Sequence, residues 1–354
     1  MPLAYPSEDL DFVLSQTRDI WSRFSGARLL ITGGTGFIGS WLVQSMQHAN
    51  DSLGCNLELA VLTRNPEHAR TQQPQVFARA DTKIVRADVS QPMPALGRID
   101  LCIHAATDVG DPCKAGTPLQ QFDSIVGGTR RVLDAALSGG VTRFLLLSSG
   151  AIYGPQPADL ERMPESYTGA ASPMQPERAY GNGKRAAEWL ACAYAAQAAH
   201  TGLETSIARI FAVVGPGLPF NSSFAAGNFI RDALTNKVIT VQGDGRPLRS
   251  YLYMSDLCTW LLRILNSGEV GQAYNAGSEN AVSIEGLAQR VANEVQEAVT
   301  INVQQPNGNP ANLPTRYVPD TSKARLKLNL AEYTPLEIAL RKTILWSRLN
   351  LMAS

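Results

Sequence analysis

Arg28-Leu-Leu-Ile-Thr32 is a short apolar run that passes directly into Gly33-Gly-Thr-Gly-Phe-Ile-Gly39, and a stretch with helical spacing follows from Phe37 to His48. Gly33, Gly36 and Gly39 sit three apart. A tight turn, a backbone that approaches a ligand closely, and a helix packed hard on a strand each exclude a Cβ. The new helix also offers unpaired N–H groups and a positive dipole end to an anion. Strand, glycine turn and helix in this order constrain the chain to an α/β fold with a pyrophosphate cradle.

The rest of the chain agrees with that constraint. Strands are expected at 57–63, 83–87, 100–104, 143–149 and 204–210, with helices at 37–48, 120–138 and 180–200 between them. Several strands are apolar on both faces, as a parallel sheet covered by helices requires. Ahead of them, Leu10, Val13, Leu14, Ile20, Trp21 and Phe24 recur at helical spacing. Residues 7–24 therefore read as one helix docked on the body, with a partner-binding arm as the alternative. After Gly215 the elements shorten, with helices at 229–234, 255–265, 283–298 and 334–346 and strands at 238–241 and 273–276. Thr334, Pro335 and Glu337 read as the cap, first residue and capping-box partner of the last helix. The expected fold is α/β: a Rossmann-type doubly wound parallel sheet with a smaller α+β C-terminal domain. The boundaries read as 1–26 for the N-terminal helical extension, 27–214 plus about 249–278 for the sheet domain, and 215–248 with 279–354 for the smaller one.

Composition narrows the function. The 354 residues carry 31 Lys+Arg and 31 Asp+Glu, so the chain lacks the basic excess that nonspecific nucleic-acid binding needs. No apolar run of membrane-spanning length occurs, and Glu8, Asp9 and Asp11 stand where a signal peptide would be basic. The five cysteines (55, 102, 113, 192, 258) form no CxxC, and the four histidines (48, 68, 104, 200) lack metal-ligand spacing. The expectation is a cytoplasmic protein without metal or disulfides, in which the Asn221-Ser-Ser223 sequon has no meaning. Residues 304–315, rich in Pro and Asn, read as a loop.

Two further features bear on chemistry. The end of the second strand reads Leu62-Thr63-Arg64-Asn65, with no acid to accept from a ribose 2′-hydroxyl. Arg64 suits a 2′-phosphate, so NADP(H) is favoured, with NAD(H) as the alternative. Tyr180-Gly-Asn-Gly-Lys184 places a tyrosine and a lysine on one helix face, and Ser149 ends a buried strand where ligands approach such a sheet. A tyrosine working near neutral pH needs a shift worth roughly 4 kcal/mol. The Lys184 ammonium and the positive nicotinamide are expected to supply it.

Together these features resemble the extended short-chain dehydrogenase/reductase family, the nucleotide-sugar epimerases and dehydratases, over about residues 28–346. The resemblance implies that Gly33, Thr35, Gly36, Phe37, Ile38 and Gly39 bind the cofactor. It implies the same for Arg64, for Asp88 and Val89 beside adenine, and for His104, Ala105, Ala106 and Thr107 on the fourth strand. Leu147-Ser-Ser-Gly-Ala-Ile-Tyr-Gly154 resembles the catalytic-serine strand, which makes Ser149 catalytic and Ser148 a cofactor contact. Tyr180 and Lys184 match the catalytic pair and also touch cofactor; Arg209–Pro216 resembles the segment passing the nicotinamide, with Phe211 and Val213 as contacts. Gly227-Asn228-Phe229-Ile230 is similar to a stretch of UDP-glucuronate decarboxylases, and Gln242–Asp256 to the family's GDG…R…D signature. Substrate contacts implied are Ser149, Tyr153, Asn228, Arg249 on the diphosphate, and Arg316. The smaller domain becomes the nucleotide-sugar domain. A homodimer through the helices at 120–138 and 180–200 is implied as well.

The family opens by removing hydride and proton from a sugar carbon, usually C4. Dehydratases of this type place Asp-Glu after the catalytic hydroxyl residue, and decarboxylases usually a Glu; here Gly150 and Ala151 follow Ser149. The expectation is therefore a 4-epimerase or 4-ketoreductase of a nucleotide sugar, with a 4,6-dehydratase or decarboxylase as the alternative. A non-catalytic dinucleotide sensor and a reductase of a non-sugar carbonyl are the readings from other classes.

Overall fold

Apolar side chains on both faces bury β1 (Arg28–Thr32) completely from Leu29 to Thr32. The computed structural model describes residues 4–107, 116–220, 224–305 and 313–353. Around β1 lie β2 (Glu58–Thr63), β3 (Thr82–Arg86), β4 (Leu101–His104), β5 (Arg143–Ser149) and β6 (Glu204–Ile210). Two residue pairs, β7 (Val213–Val214) and β10 (Leu252–Tyr253), flank β8 (Val238–Val241) and β9 (Leu248–Arg249) in sequence. Then come β11 (Ala273–Ala276), β12 (Val282–Ser283), β13 (Thr300–Val303) and β14 (Arg316–Tyr317). The main sheet has seven strands in the order β11-β6-β5-β4-β1-β2-β3. Every pairing in it is parallel. The order reverses between β1 and β4, which opens a crevice at their C-terminal ends, where ligands bind in open α/β sheets.

Helices cover both faces. The helix Phe37–Leu53 outruns its expected end at His48, because Gly54 supplies the left-handed residue (φ +64°) that closes it. The helix Pro118–Gly139 opens on a capping box formed by Thr117 and Gln120. The expected 180–200 helix breaks into Ala179–Ala195 and Ala198–Thr201. A second core, with Ile230, Ile239, Val241, Leu287, Val291 and Leu340 fully buried, lies under the C-terminal elements. There β9 joins β12 and β14 in a three-stranded sheet.

The N-terminal segment packs on the body, as two helices rather than one. Ser7–Gln16 ends where the Thr17 hydroxyl donates back to the Val13 carbonyl (2.6 Å) and accepts from Trp21 Nε1 (3.0 Å). That side-chain competition for the backbone breaks the helix before Trp21–Phe24. Tyr5 stacks on Trp41 (4.3 Å between centroids), and buried Asp9 accepts from Tyr253 Oη (2.7 Å) and Lys342 Nζ (2.6 Å). Burial of Val13, Ile20, Trp21 and Phe24 contributes about 1.5–3 kcal/mol each.

The capping box expected at the last helix does not form. Thr334 Oγ1 donates to Asp256 (3.2 Å) and Glu337 pairs with Arg290 (3.0 Å), because Asp256 also collects the backbone N–H groups of Tyr333 and Thr334. Burial pushes the Asp256 carboxyl up to about 6 against those three bonds. Cys113, Asn221-Ser-Ser223 and most of the 304–315 stretch lie outside the described residues. Among the described residues, no helix is long and apolar enough to cross a membrane.

Candidate active site

The glycine loop is closed to side chains by its own backbone. Gly33 has φ +70°, and a Cβ there would stand 2.7 Å from the Ala105 carbonyl. A Cβ on Gly39 would stand 2.1 Å from the Gly33 oxygen. Gly36 precedes the helix, and no side chain caps it. The first-turn amides of Phe37, Ile38 and Gly39 are thus left to an anion. Ala105 N and Ala106 N donate to Thr32 O and Thr32 Oγ1, both at 3.1 Å, which locks β4 against the loop. A cradle that a Cβ would fill, at an uncapped helix start, fits a dinucleotide pyrophosphate.

The neighbouring candidates gather around this crevice. Thr35 Oγ1 reaches Thr63 Oγ1 (3.4 Å), beside exposed Arg64 at the end of β2. Half-buried Asp88 accepts from Ser90 N (2.8 Å) just beyond β3, and Val89 packs against Gly128 while its carbonyl accepts from Arg131 (3.2 Å). His104 itself does not face the crevice. Its ring lies between Thr32 Oγ1 (2.6 Å) and Thr129 Oγ1 (3.1 Å), and burial, with Lys184 nearby, pushes it down to about 3. It is a neutral core histidine; the backbone after it serves the site.

Ser149, Tyr180 and Lys184 converge at the end of β5. Ser149 Oγ accepts from Ala151 N (3.2 Å), with the phenols of Tyr180 and Tyr317 near it. Lys184 Nζ donates to the Leu147 carbonyl (2.7 Å) and to Thr107 Oγ1 (2.8 Å). Burial pushes its ammonium down to about 8, with Glu188 opposing. The Tyr180 hydroxyl departs from expectation in the protein alone. Burial raises its pKa and the Ser149 contact opposes this, because the Lys184 ammonium is directed at Leu147 and Thr107.

Two sequence candidates turn out to serve a buried network instead. Ser148 Oγ donates to Glu188 (2.5 Å), which pairs with Arg209 (2.7 Å). Arg209 Nη1 donates to Tyr153 Oη (2.8 Å), which donates to Asn275 Oδ1 (2.7 Å). Tyr153 is 1% exposed. Neither Ser148 nor Tyr153 keeps a polar atom for ligand; alternation along β5 sends Ser148 to the helix side.

The opposite wall comes from the C-terminal elements. Phe211 is buried and stacks on Tyr317 (4.6 Å between centroids). In the β9–β14 register Tyr317 faces Arg249, so both side chains share one face and Arg316 takes the other. Arg249 is partly buried, which depresses its pKa, and its Nη1 donates to the carbonyls of Leu248 (2.8 Å) and Thr315 (3.4 Å). Among the described residues no carboxylate is recorded as pairing with it. Asn228 sits in the first turn of the helix Ala225–Thr235, accepting from Arg231 (3.4 Å), and half-buried Val213 lies on β7. Tyr317 was not a sequence candidate. Its only signal was its place beside Arg316.

Comparison with known proteins now adds the family. The profile of the NAD dependent epimerase/dehydratase family matches residues 29–277. The chain belongs to that family. This epimerase/dehydratase-family chain is 31% identical to UDP-glucuronic acid decarboxylase 1 of Xenopus tropicalis, over 92% of the chain and 73% of that protein. It is 30% identical to UDP-glucuronic acid decarboxylase 3 of Arabidopsis thaliana, over 87% of each. Among solved structures, UDP-glucose 4-epimerase of Thermotoga maritima has the same fold (TM-score 0.76, 20% identity, 92% of this chain and 99% of that one). MoeE5, solved with UDP-glucose and NAD, is similar as well (TM-score 0.74, 25% identity, 92% and 99%). The two curated relatives are decarboxylases, the activity held as the alternative, rather than epimerases or 4-ketoreductases.

Proposed function

We propose that this protein decarboxylates a nucleotide-linked uronic acid, with UDP-glucuronic acid as the first candidate. The chemistry supplied by bound NAD(P) is reversible hydride acceptance from sugar C4. The residues do the remainder. Tyr180 takes the C4 hydroxyl proton, Ser149 holds the same oxygen, and the Lys184 ammonium below favours the phenolate. Once C4 is a ketone, the C6 carboxylate is β to it. Breaking C5–C6 sends the electron pair toward the C4 oxygen, where the Tyr180 and Ser149 hydroxyls stabilise it. Carbon dioxide leaves and C5 takes a proton.

Position 150 weighs against dehydration, although the chain also departs there from the Glu usual in decarboxylases. Elimination of water across C5 and C6 needs a base and an acid, and Gly150 and Ala151 provide neither. Loss of carbon dioxide from a β-keto acid needs no base. Arg249 attracts an anionic substrate. What carries the decarboxylase reading is the 30–31% identity to UDP-glucuronic acid decarboxylases over 87–92% of the chain.

Arg64 supports NADP(H), and the NAD in MoeE5 supports NAD(H); the dinucleotide released on denaturing the purified protein decides. Exposed Trp189 (69%), Leu119 (78%) and Phe122 (36%) on the helices Ala179–Ala195 and Pro118–Gly139 support the homodimer. The substrate test compares UDP-glucuronic acid with UDP-glucose. Turnover of the uronate alone, with KM raised about 10–100-fold in Arg249→Ala by loss of a charge-assisted contact, supports the reading. Turnover of UDP-glucose, which lacks the C6 carboxylate, to its C4 epimer overturns it.

A further inference from the structure

The volume next to Ser149 that a side chain at 150 would occupy is filled from the far end of the chain. A Cβ on Gly150 would stand 2.7 Å from the Tyr317 phenolic oxygen and 2.7 Å from Phe211 Cζ. Tyr317 is fixed there twice. Its backbone is held in register with β9, and its ring lies on Phe211. Its hydroxyl lies near Ser149, as does that of Tyr180. One serine thus has two phenols near it, Tyr180 from the sheet domain and Tyr317 from β14. Since Tyr180 and Ser149 address the C4 oxygen, a second phenol across Ser149 is placed beside the neighbouring sugar carbons.

We propose that Tyr317 is a catalytic residue, the acid that delivers the proton to C5, acting in the volume a side chain at Gly150 would fill. This rests on the decarboxylase reading. The C5–C6 bond breaks, carbon dioxide leaves, and its electron pair forms an enolate over C5 and C4. The Tyr317 O–H bond then breaks, the enolate pair forms C5–H, and the C4 ketone is restored. The Tyr317 phenolate recovers its proton from water, which accounts for the one proton the overall decarboxylation consumes. Tyr180 keeps the proton it took from the C4 hydroxyl and returns it when C4 is reduced. Burial holds the Tyr317 phenol protonated, so the acid is available at neutral pH. Arg249, on the same face, stands ready for the phenolate as it forms.

The test runs wild-type protein, Tyr317→Phe and Gly150→Ala with UDP-glucuronic acid and NAD⁺ in deuterated water. It reads carbon dioxide release, kcat, KM and the configuration at C5. Tyr317→Phe keeps the ring against Phe211 and removes one oxygen. The expected result is a kcat about 10²–10⁴-fold lower, the range for loss of a general acid. KM stays nearly unchanged and deuterium enters C5 in both configurations. Gly150→Ala keeps Tyr317 and forces its oxygen aside, and the same loss of stereochemical control is expected. Wild-type kcat and a single C5 configuration in Tyr317→Phe overturn the assignment while leaving the decarboxylase reading intact. If Tyr317→Phe does not fold, a single configuration with wild-type kcat in Gly150→Ala overturns it equally. No carbon dioxide from wild-type protein overturns both.

Discussion

Lys184 Nζ donates to the Leu147 carbonyl at 2.7 Å and to Thr107 Oγ1 at 2.8 Å, so a buried ammonium rests on two uncharged oxygens. Neither acceptor compensates for lost hydration as a carboxylate would, and burial brings the pKa down to about 8. The ammonium form, to which the proposed mechanism assigns support of the Tyr180 phenolate, therefore drains away as pH rises through that value. The kcat/KM profile is predicted to show an alkaline limb near pH 8. Lys184→Arg keeps its charge and moves that limb upward. A limb that stays in place in Lys184→Arg contradicts this assignment.

Tyr180→Phe removes the oxygen that exchanges the C4 proton and leaves the packing in place. Its kcat is expected to fall about 10²–10⁴-fold with an unchanged thermal midpoint. Steady-state kinetics together with a melting curve checks both halves.

Gly39→Ala brings a methyl group to within 2.1 Å of the Gly33 carbonyl oxygen. Both partners are backbone, so the loop or the helix must move. A loss of about 1–3 kcal/mol is expected, with weaker dinucleotide binding in a fluorescence titration. Wild-type stability and affinity in this variant would mean that the loop is looser than its geometry.

Glu188→Ala leaves the Arg209 guanidinium buried and strips Ser148 of its acceptor. Removing one partner of a buried pair costs about 3–5 kcal/mol, read as a lower urea midpoint with an unchanged slope. Glu188→Gln is expected to recover part of this, because it can still accept hydrogen bonds.

The sheet and the cofactor crevice were legible in the sequence because both are local. Three apolar residues and three glycines fix β1, its turn and its helix within a dozen positions, and Tyr180 and Lys184 share a helix face by spacing alone. Other features depended on long-range competition. Thr334 looked like a cap, but buried Asp256, distant in sequence, takes its hydroxyl. Ser148 was expected to touch the cofactor, but alternation turns its side chain to Glu188. Gly150 read correctly as lacking an acid, whereas its occupant Tyr317 was invisible, since a two-residue strand leaves no periodicity to detect. The reaction was left between an epimerase or 4-ketoreductase and a dehydratase or decarboxylase, and the curated relatives favour the second pair.

The most direct measurement supplies UDP-glucuronic acid carrying an isotope label in its C6 carboxylate and follows the label and the sugar together. The account predicts labelled carbon dioxide released in step with substrate loss, and a nucleotide-linked pentose as the product. Label retained in a nucleotide-linked hexuronic acid inverted at C4, with no carbon dioxide, would contradict it.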